Sequence, residues 1–148
     1  MKRAGIKEQL QVKTENGEEQ YAKIKVLMAE DNPVNQKVLN LMLEQNDCQV
    51  MIAENGAQAL DIYRKHAFDL ILMDVQMPVM DGIEATKAIQ SLEVYKNNQI
   101  PIIAVTANAF EEDRKRILKE GMHDFLPKPI KPNELKSILT KYTSKVSL

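Results

Sequence analysis

Asp74 closes an apolar run, Phe68-Asp69-Leu70-Ile71-Leu72-Met73-Asp74, and the chain behind it, Val75-Gln76-Met77-Pro78-Val79-Met80-Asp81-Gly82, has the Pro/Gly content of a loop. A carboxylate at the end of a hydrophobic strand has left the core and stands at the strand's carboxyl edge, where open α/β sheets place their ligands. Glu30-Asp31 ends a second such run, Ile24-Lys25-Val26-Leu27-Met28-Ala29. Gathered carboxylate oxygens repel one another and invite a hard cation, with Mg²⁺ the expected ion and several of its waters retained. A carboxylate can also attack phosphorus, provided that positive charge holds the phosphoryl oxygens. Thr106, after the apolar run 102–105, offers a hydroxyl for one of those oxygens. Lys128, between Pro127 and Pro129, offers an ammonium group on a side chain that starts from stiff backbone. A cis Lys128-Pro129 bond suits such a turn. Divalent-metal and phosphoryl chemistry is the leading reading.

Singly, each residue has an ordinary explanation. Asp31 and Asp81 both stand just before helices and read equally as caps, Asp81 the more so because Gly82 follows it. A lone Thr after a strand is usually structural, and a lone Lys between prolines usually belongs to the surface. The case for function rests on their falling at successive strand ends in one fold.

The elements that must bring them together can be read from Lys23 onward. Ile24 to Ala29, Gln49 to Ala53, Leu70 to Met73, Ile102 to Val105 and Asp124 to Leu126 have the composition of short buried strands. Between them run helical patterns. Asn32-Pro33 opens the first, where Val34, Val38, Leu41, Met42 and Gln45 recur at helical spacing up to Asn46. Ala57, Leu60, Ile62 and Tyr63 outline the second. Gly82 to about Leu92 forms the third, with Ile83, Ala85, Thr86 and Ile89 inward. Phe110 to Glu120 forms the fourth, and Pro132 to about Tyr142 the fifth, with Leu135, Ile138 and Leu139 at helical spacing. Five strands alternating with five helices through short connections predict right-handed crossovers and a doubly wound parallel sheet covered on both faces.

The 148 residues suffice for one domain with a real core. A net charge of −1 gives no bulk attraction to nucleic acid or to an anionic membrane. The single Cys48 fits a reducing compartment. No apolar stretch has the length of a membrane span and the N-terminus lacks a signal-like segment, so a cytoplasmic chain is expected, or the cytoplasmic part of a membrane-bound protein. Residues 1–22 are polar and charge-rich and read as a flexible tail or linker ahead of a domain spanning residues 23–146.

Four stretches together carry a resemblance: Val26 to Gln36 (VLMAEDNPVNQ), Leu72 to Gly82 (LMDVQMPVMDG), Ala104 to Ala109 (AVTANA) and Leu126 to Pro129 (LPKP). They resemble the response-regulator receiver domain of two-component and phosphorelay signalling, in that family's order and spacing, over roughly Ile24 to Tyr142. The first and third look most like receivers of hybrid sensor histidine kinases. The resemblance implies a flavodoxin-like sheet of strand order 2-1-3-4-5. It implies that Asp74 accepts a phosphoryl group from a phosphohistidine carried by a histidine kinase or a histidine phosphotransfer domain. Asp31 and Asp74 would bind Mg²⁺ (or Mn²⁺), Glu30 would act mainly through metal-bound water, and the backbone carbonyl of Gln76 would complete the protein ligands. Thr106 and Lys128 would contact the phosphoryl oxygens. Phe125 falls at the family's switch aromatic, and Gln76 and Asn108 flank the path of the hydrolytic water, where they would tune a slow autodephosphorylation. A downstream protein would read the face of the fourth helix, fifth strand and fifth helix, without nucleic-acid or direct membrane contact.

Two departures stand out. Glu30 replaces the Asp common in stand-alone members, which is expected to alter metal affinity. Phe125 replaces the commoner Tyr, so no phenolic hydroxyl can meet backbone when the ring turns. Three alternatives compete. A phosphatase with an Asp nucleophile needs an acid–base Asp two positions on, where this chain has Gln76. A degenerate receiver acting only as an interaction module would not need the full set of acidic residues, Thr106 and Lys128. A flavodoxin-like cofactor binder needs a phosphate-cradling loop after the first strand, where Asp31-Asn32-Pro33 stands. The chain is not expected to be an independent turnover enzyme.

Overall fold

The computed structural model describes residues 11–13, 19–21, 23–107 and 110–143, the first two segments by backbone alone. Asn108 therefore lies outside the described residues. Five strands form one parallel sheet: β3 (Ile24–Ala29), β4 (Cys48–Ala53), β5 (Leu70–Asp74), β6 (Ile102–Thr106) and β7 (Asp124–Pro127), in spatial order β4-β3-β5-β6-β7. Counted from β3, that is the expected order 2-1-3-4-5.

The helices are α1 (Pro33–Gln45), α2 (Gly56–Lys65), α3 (Gly82–Gln90), α4 (Glu93–Asn97), α5 (Glu111–Lys119) and α6 (Pro132–Tyr142). The expected third helix ends at Gln90, and α4 is a short sixth helix that was not expected. It is anchored by Tyr95, which is buried and donates its hydroxyl to the carbonyl of Ile100 at 2.9 Å. The described parts of the expected tail are also paired. β1 (Gln11–Lys13) and β2 (Glu19–Tyr21) form an antiparallel pair, a sheet of its own. The sequence between them contains Asn16-Gly17, a dipeptide that favours tight hairpin turns.

Alternation along the strands sends side chains to both faces. Leu27, Ile71, Met73, Ile102 and Ala104 pack one way, under α2, α3, α4 and α5. Val26, Met28, Leu70, Leu72, Ile103 and Val105 pack the other way, against Leu39 and Leu43 of α1 and Leu135, Ile138 and Leu139 of α6. Burying each Leu or Ile side chain contributes about 1.5–3 kcal/mol, so the strands are held rigidly where they end.

The apolar residues of α1 divide between solvent and sheet. Val34 and Leu41 are 69% and 57% exposed, and Val38 also faces solvent, whereas Leu39 and Leu43 are buried. The helix carries two apolar stripes at helical spacing, and periodicity does not say which meets the sheet. The inward positions expected for α3 are all buried, and Leu135, Ile138 and Leu139 of α6 are buried as well.

Candidate functional site

The strand order reverses beside β3: the chain steps from β3 outward to β4, then returns to place β5 on the other side of β3. That switch point opens a crevice beyond the carboxyl ends of β3 and β5. The register pairs Ala29 with Met73, so Glu30 and Asp74 emerge side by side. Asp74 is in turn paired with Val105, next to Thr106, and Thr106 with Pro127, next to Lys128. Successive parallel registers thus deliver Glu30, Asp74, Thr106 and Lys128 to one edge, and all four, with Asp31, Asn35 and Gln76, line a cavity of about 220 Å³.

Local sequence fixes each arm of the site. Asn32 caps α1, its side chain accepting from the amides of Val34 and Asn35 at 2.9 and 3.1 Å, with Pro33 opening the helix. The Asn32 amide donates to Glu30 Oε2 at 3.0 Å, and Gln36 Nε2 donates to the Glu30 carbonyl at 2.6 Å. Asp81 serves as a cap: its side chain accepts from the Glu84 amide at 2.9 Å while the Glu84 side chain accepts from the Asp81 amide at 3.2 Å. Gly82 is required by close approach, because a Cβ there would collide with the backbone carbonyl of Asp74. The Lys128-Pro129 peptide is cis, and the Lys128 amide donates to the Thr106 carbonyl at 2.8 Å.

Charge in the pocket is concentrated and under-compensated. Lys128 Nζ donates to Asp74 Oδ2 at 2.9 Å and pairs with Glu30 Oε1 at 3.1 Å. One ammonium group therefore serves two nearly buried carboxylates. The Gln76 amide donates to Asp74 Oδ1 at 3.1 Å. Burial pushes the Asp74 carboxyl up, to about 6, against the lowering effect of the Lys128 hydrogen bond, and the charge of Glu30 adds to the rise. Burial also raises Glu30, but the Asn32 amide, followed by the hydrogen bond and charge of Lys128, overcomes it and leaves Glu30 below its ordinary value. Burial disfavours the charged Lys128, yet the two carboxylates hold its ammonium form more tightly than in water.

Glu30, Asp31 and Asp74 each offer a carboxylate oxygen, and these lie within 4.8 Å of one another. Hard oxygen donors so gathered fit Mg²⁺. Asp31 is exposed at the mouth while Glu30 and Asp74 are buried behind it. Thr106 is buried at the end of β6. Phe125 lies on β7 opposite Ala104, its ring half-buried under α5. Sequence reasoning gave no role to Gln36, which bonds the Glu30 carbonyl six residues back, or to Arg114, whose Cζ lies 4.6 Å from the centroid of the Phe125 ring.

Residues 26–140 match the family described as the response regulator receiver domain. Among curated proteins the chain is 43% identical over 120 residues to hybrid signal transduction histidine kinase I of Dictyostelium discoideum, covering 78% of this chain and 7% of that protein. It is 41% identical over 120 residues to the sensor protein GacS of Pseudomonas syringae pv. syringae, covering 80% of this chain and 13% of that protein. The chain thus spans a small fraction of the curated relatives it matches. Among solved structures it resembles the receiver domain of a sensor histidine kinase from Pseudomonas aeruginosa PAO1, which has a magnesium ion coordinated in its active-site cleft. The TM-score is 0.74 at 42% identity, covering 82% of this chain and 98% of that one. It also resembles the receiver domain of the Saccharomyces cerevisiae response regulator Ssk1, crystallised with the histidine phosphotransfer protein Ypd1. There the TM-score is 0.74 at 34% identity, covering 81% and 88% of the two chains. Sheet order, the acidic crevice and these matches agree: the chain belongs to the response regulator receiver domain family.

Proposed function

We propose that the domain receives a phosphoryl group on Asp74 from a phosphohistidine of a histidine kinase or histidine phosphotransfer protein. The observation that carries this reading is the Lys128 ammonium held 2.9 Å from Asp74 Oδ2 and 3.1 Å from Glu30 Oε1 inside an acidic cavity. In the transfer, an Asp74 oxygen forms a bond to phosphorus as the phosphorus–nitrogen bond breaks, and the imidazole leaves with the electron pair. Lys128 turns from the carboxylates to the phosphoryl oxygens, and Thr106 donates its hydroxyl to another. Asp31, Asp74 and the Gln76 carbonyl would hold Mg²⁺, with Glu30 acting through its water; Mn²⁺ would meet the same oxygen donors. Bound there, the ion neutralises charge on the carboxylates and phosphoryl oxygens.

Gln76 and Asn108 set how fast water later removes the phosphoryl group, and Gln76 has no proton to exchange in the manner of a phosphatase acid–base Asp. The added charge of about −1.5 to −2 shifts a two-state equilibrium in which Thr106 and Phe125 move together. A partner protein then reads the face of α5, β7 and α6.

The donor protein's approach is supported by a groove of about 400 Å³ that shares Glu30, Asn35 and Lys128 with the acidic cavity and is walled by Val38, Met42 and Ile130. The exposed α1 stripe of Val34, Val38 and Leu41 belongs to the same helix. No described helix is long and apolar enough to cross a membrane.

The test is incubation with phosphoramidate and Mg²⁺. One phosphoryl group per chain, released slowly, is the expected result. Sustained turnover of phosphate esters without a labelled protein would reassign the site to a phosphatase.

A further inference from the structure

Phe125 is paired with Ala104, two strand positions away from the Thr106–Pro127 pairing and so on the same side of the ladder. The inner part of its ring packs on the layer containing Ala104 and Ile117. Over it stands Arg114 of α5, an exposed residue whose guanidinium carbon is 4.6 Å from the ring centroid. That is the separation of a cation–π contact. Phenylalanine has no hydroxyl with which to find a backbone acceptor, so the guanidinium supplies a polar hold on a ring that lacks one of its own.

We propose that Arg114 is the positioning residue of the switch: its guanidinium clamps the Phe125 ring half-exposed and weights the chain toward the unphosphorylated arrangement. This rests on the reading that Asp74 is phosphorylated and that Thr106 and Phe125 move together. A ring that swings toward the interior parts from a guanidinium standing on its solvent side. The contact is then made in one state and not the other, and only such a difference moves an equilibrium. At an exposed site a cation–π contact changes the two populations about two- to five-fold.

The sign separates this role from general electrostatics. Removing a cation weakens the binding of any anion at the acidic edge. Removing a clamp on the resting state strengthens the binding of a phosphoryl mimic.

Beryllium fluoride with Mg²⁺ is the probe, its affinity measured by calorimetry on the full chain. Arg114→Ala should tighten binding about two- to five-fold. Arg114→Lys, which keeps a cation over the ring, should fall between it and the starting chain. In a Phe125→Leu background, Arg114→Ala should change nothing. Unchanged or weaker binding in Arg114→Ala, or equal tightening without the ring, overturns the clamp and leaves the phosphoacceptor reading standing. Failure of the unaltered chain to bind the mimic, or undiminished binding after Asp74→Asn, overturns both.

Discussion

Asp74 and Asp124 each sit against a lysine, and their surroundings push them in opposite directions. Asp124, at the start of β7, accepts from Tyr142 Oη at 2.8 Å, from the Phe125 amide at 2.8 Å and from Lys141 Nζ at 3.2 Å. Burial raises its carboxyl, but the Tyr142 hydroxyl, the Phe125 amide and Lys141 together hold it below the ordinary range. Asp74, at the end of β5, has one lysine, and that lysine is shared with Glu30. Burial and the neighbouring carboxylate win there, and its carboxyl rises to about 6. The amino end of β7 is a satisfied structural cluster. The carboxyl edge keeps a deficit of positive charge, which is what a metal ion supplies.

Several experiments sharpen or break that contrast. Lys128→Met removes the only cation that the described contacts give to Asp74 and Glu30, and phosphorylation from a small phosphodonor should slow about 10²- to 10³-fold. Lys141→Met should leave that rate unchanged. Chemical stability should divide the two aspartates in the other direction. The folded Asp74 carboxyl titrates near 6 against an ordinary 3.8, so the folded chain holds this proton more tightly than the unfolded one. Its stabilising effect is present below 3.8 and is lost as pH rises through about 6. At pH 7 the ionised group is a cost, so Asp74→Asn should raise the unfolding free energy in urea by about 1–3 kcal/mol. The gain should vanish in acid.

Asp124 has the opposite sign. Its lowered value means that its contribution is present above the ordinary 3.8 and fades as pH falls through its still lower folded value. Asp124→Asn should therefore lose about 1 kcal/mol at pH 7. Tyr142→Phe, which deletes one neutral donor, should lose about 0.5–1.5 kcal/mol and leave phosphorylation untouched. If Asp74→Asn destabilised the chain as Asp124→Asn does, the deficit at the carboxyl edge would be disproved.

Much of the acidic edge was legible in the sequence because parallel strands announce themselves. The runs ending in Glu30 and Asp74 are nearly unbroken in apolar residues, and a doubly wound sheet leaves their ends nowhere to go but the same edge. Thr106 and Lys128 followed from the same rule, and both line the cavity. The face of α1 was not legible, since Val34, Val38 and Leu41 obey the helical period as well as Leu39 and Leu43 do. Only the position of the sheet chooses between the stripes. The short helix α4 was hidden because Tyr95 is fixed by Ile100, a contact set by the chain's turn into β6. The β1–β2 pair had a signal in Asn16-Gly17, but three-residue strands of mixed polarity lack the alternation that marks longer ones. Gln36 stood in a family-like stretch without a role of its own, and the Arg114 contact with Phe125 depends on how α5 packs over β7.

The central claim is that Asp74 is the phosphoacceptor, and intact-protein mass spectrometry tests it most directly. With a small phosphodonor and Mg²⁺, the unaltered chain should gain the mass of one phosphoryl group, and chelation of the metal or Asp74→Asn should abolish the gain. An equal gain in Asp74→Asn, or none in the unaltered chain with metal present, would contradict the account.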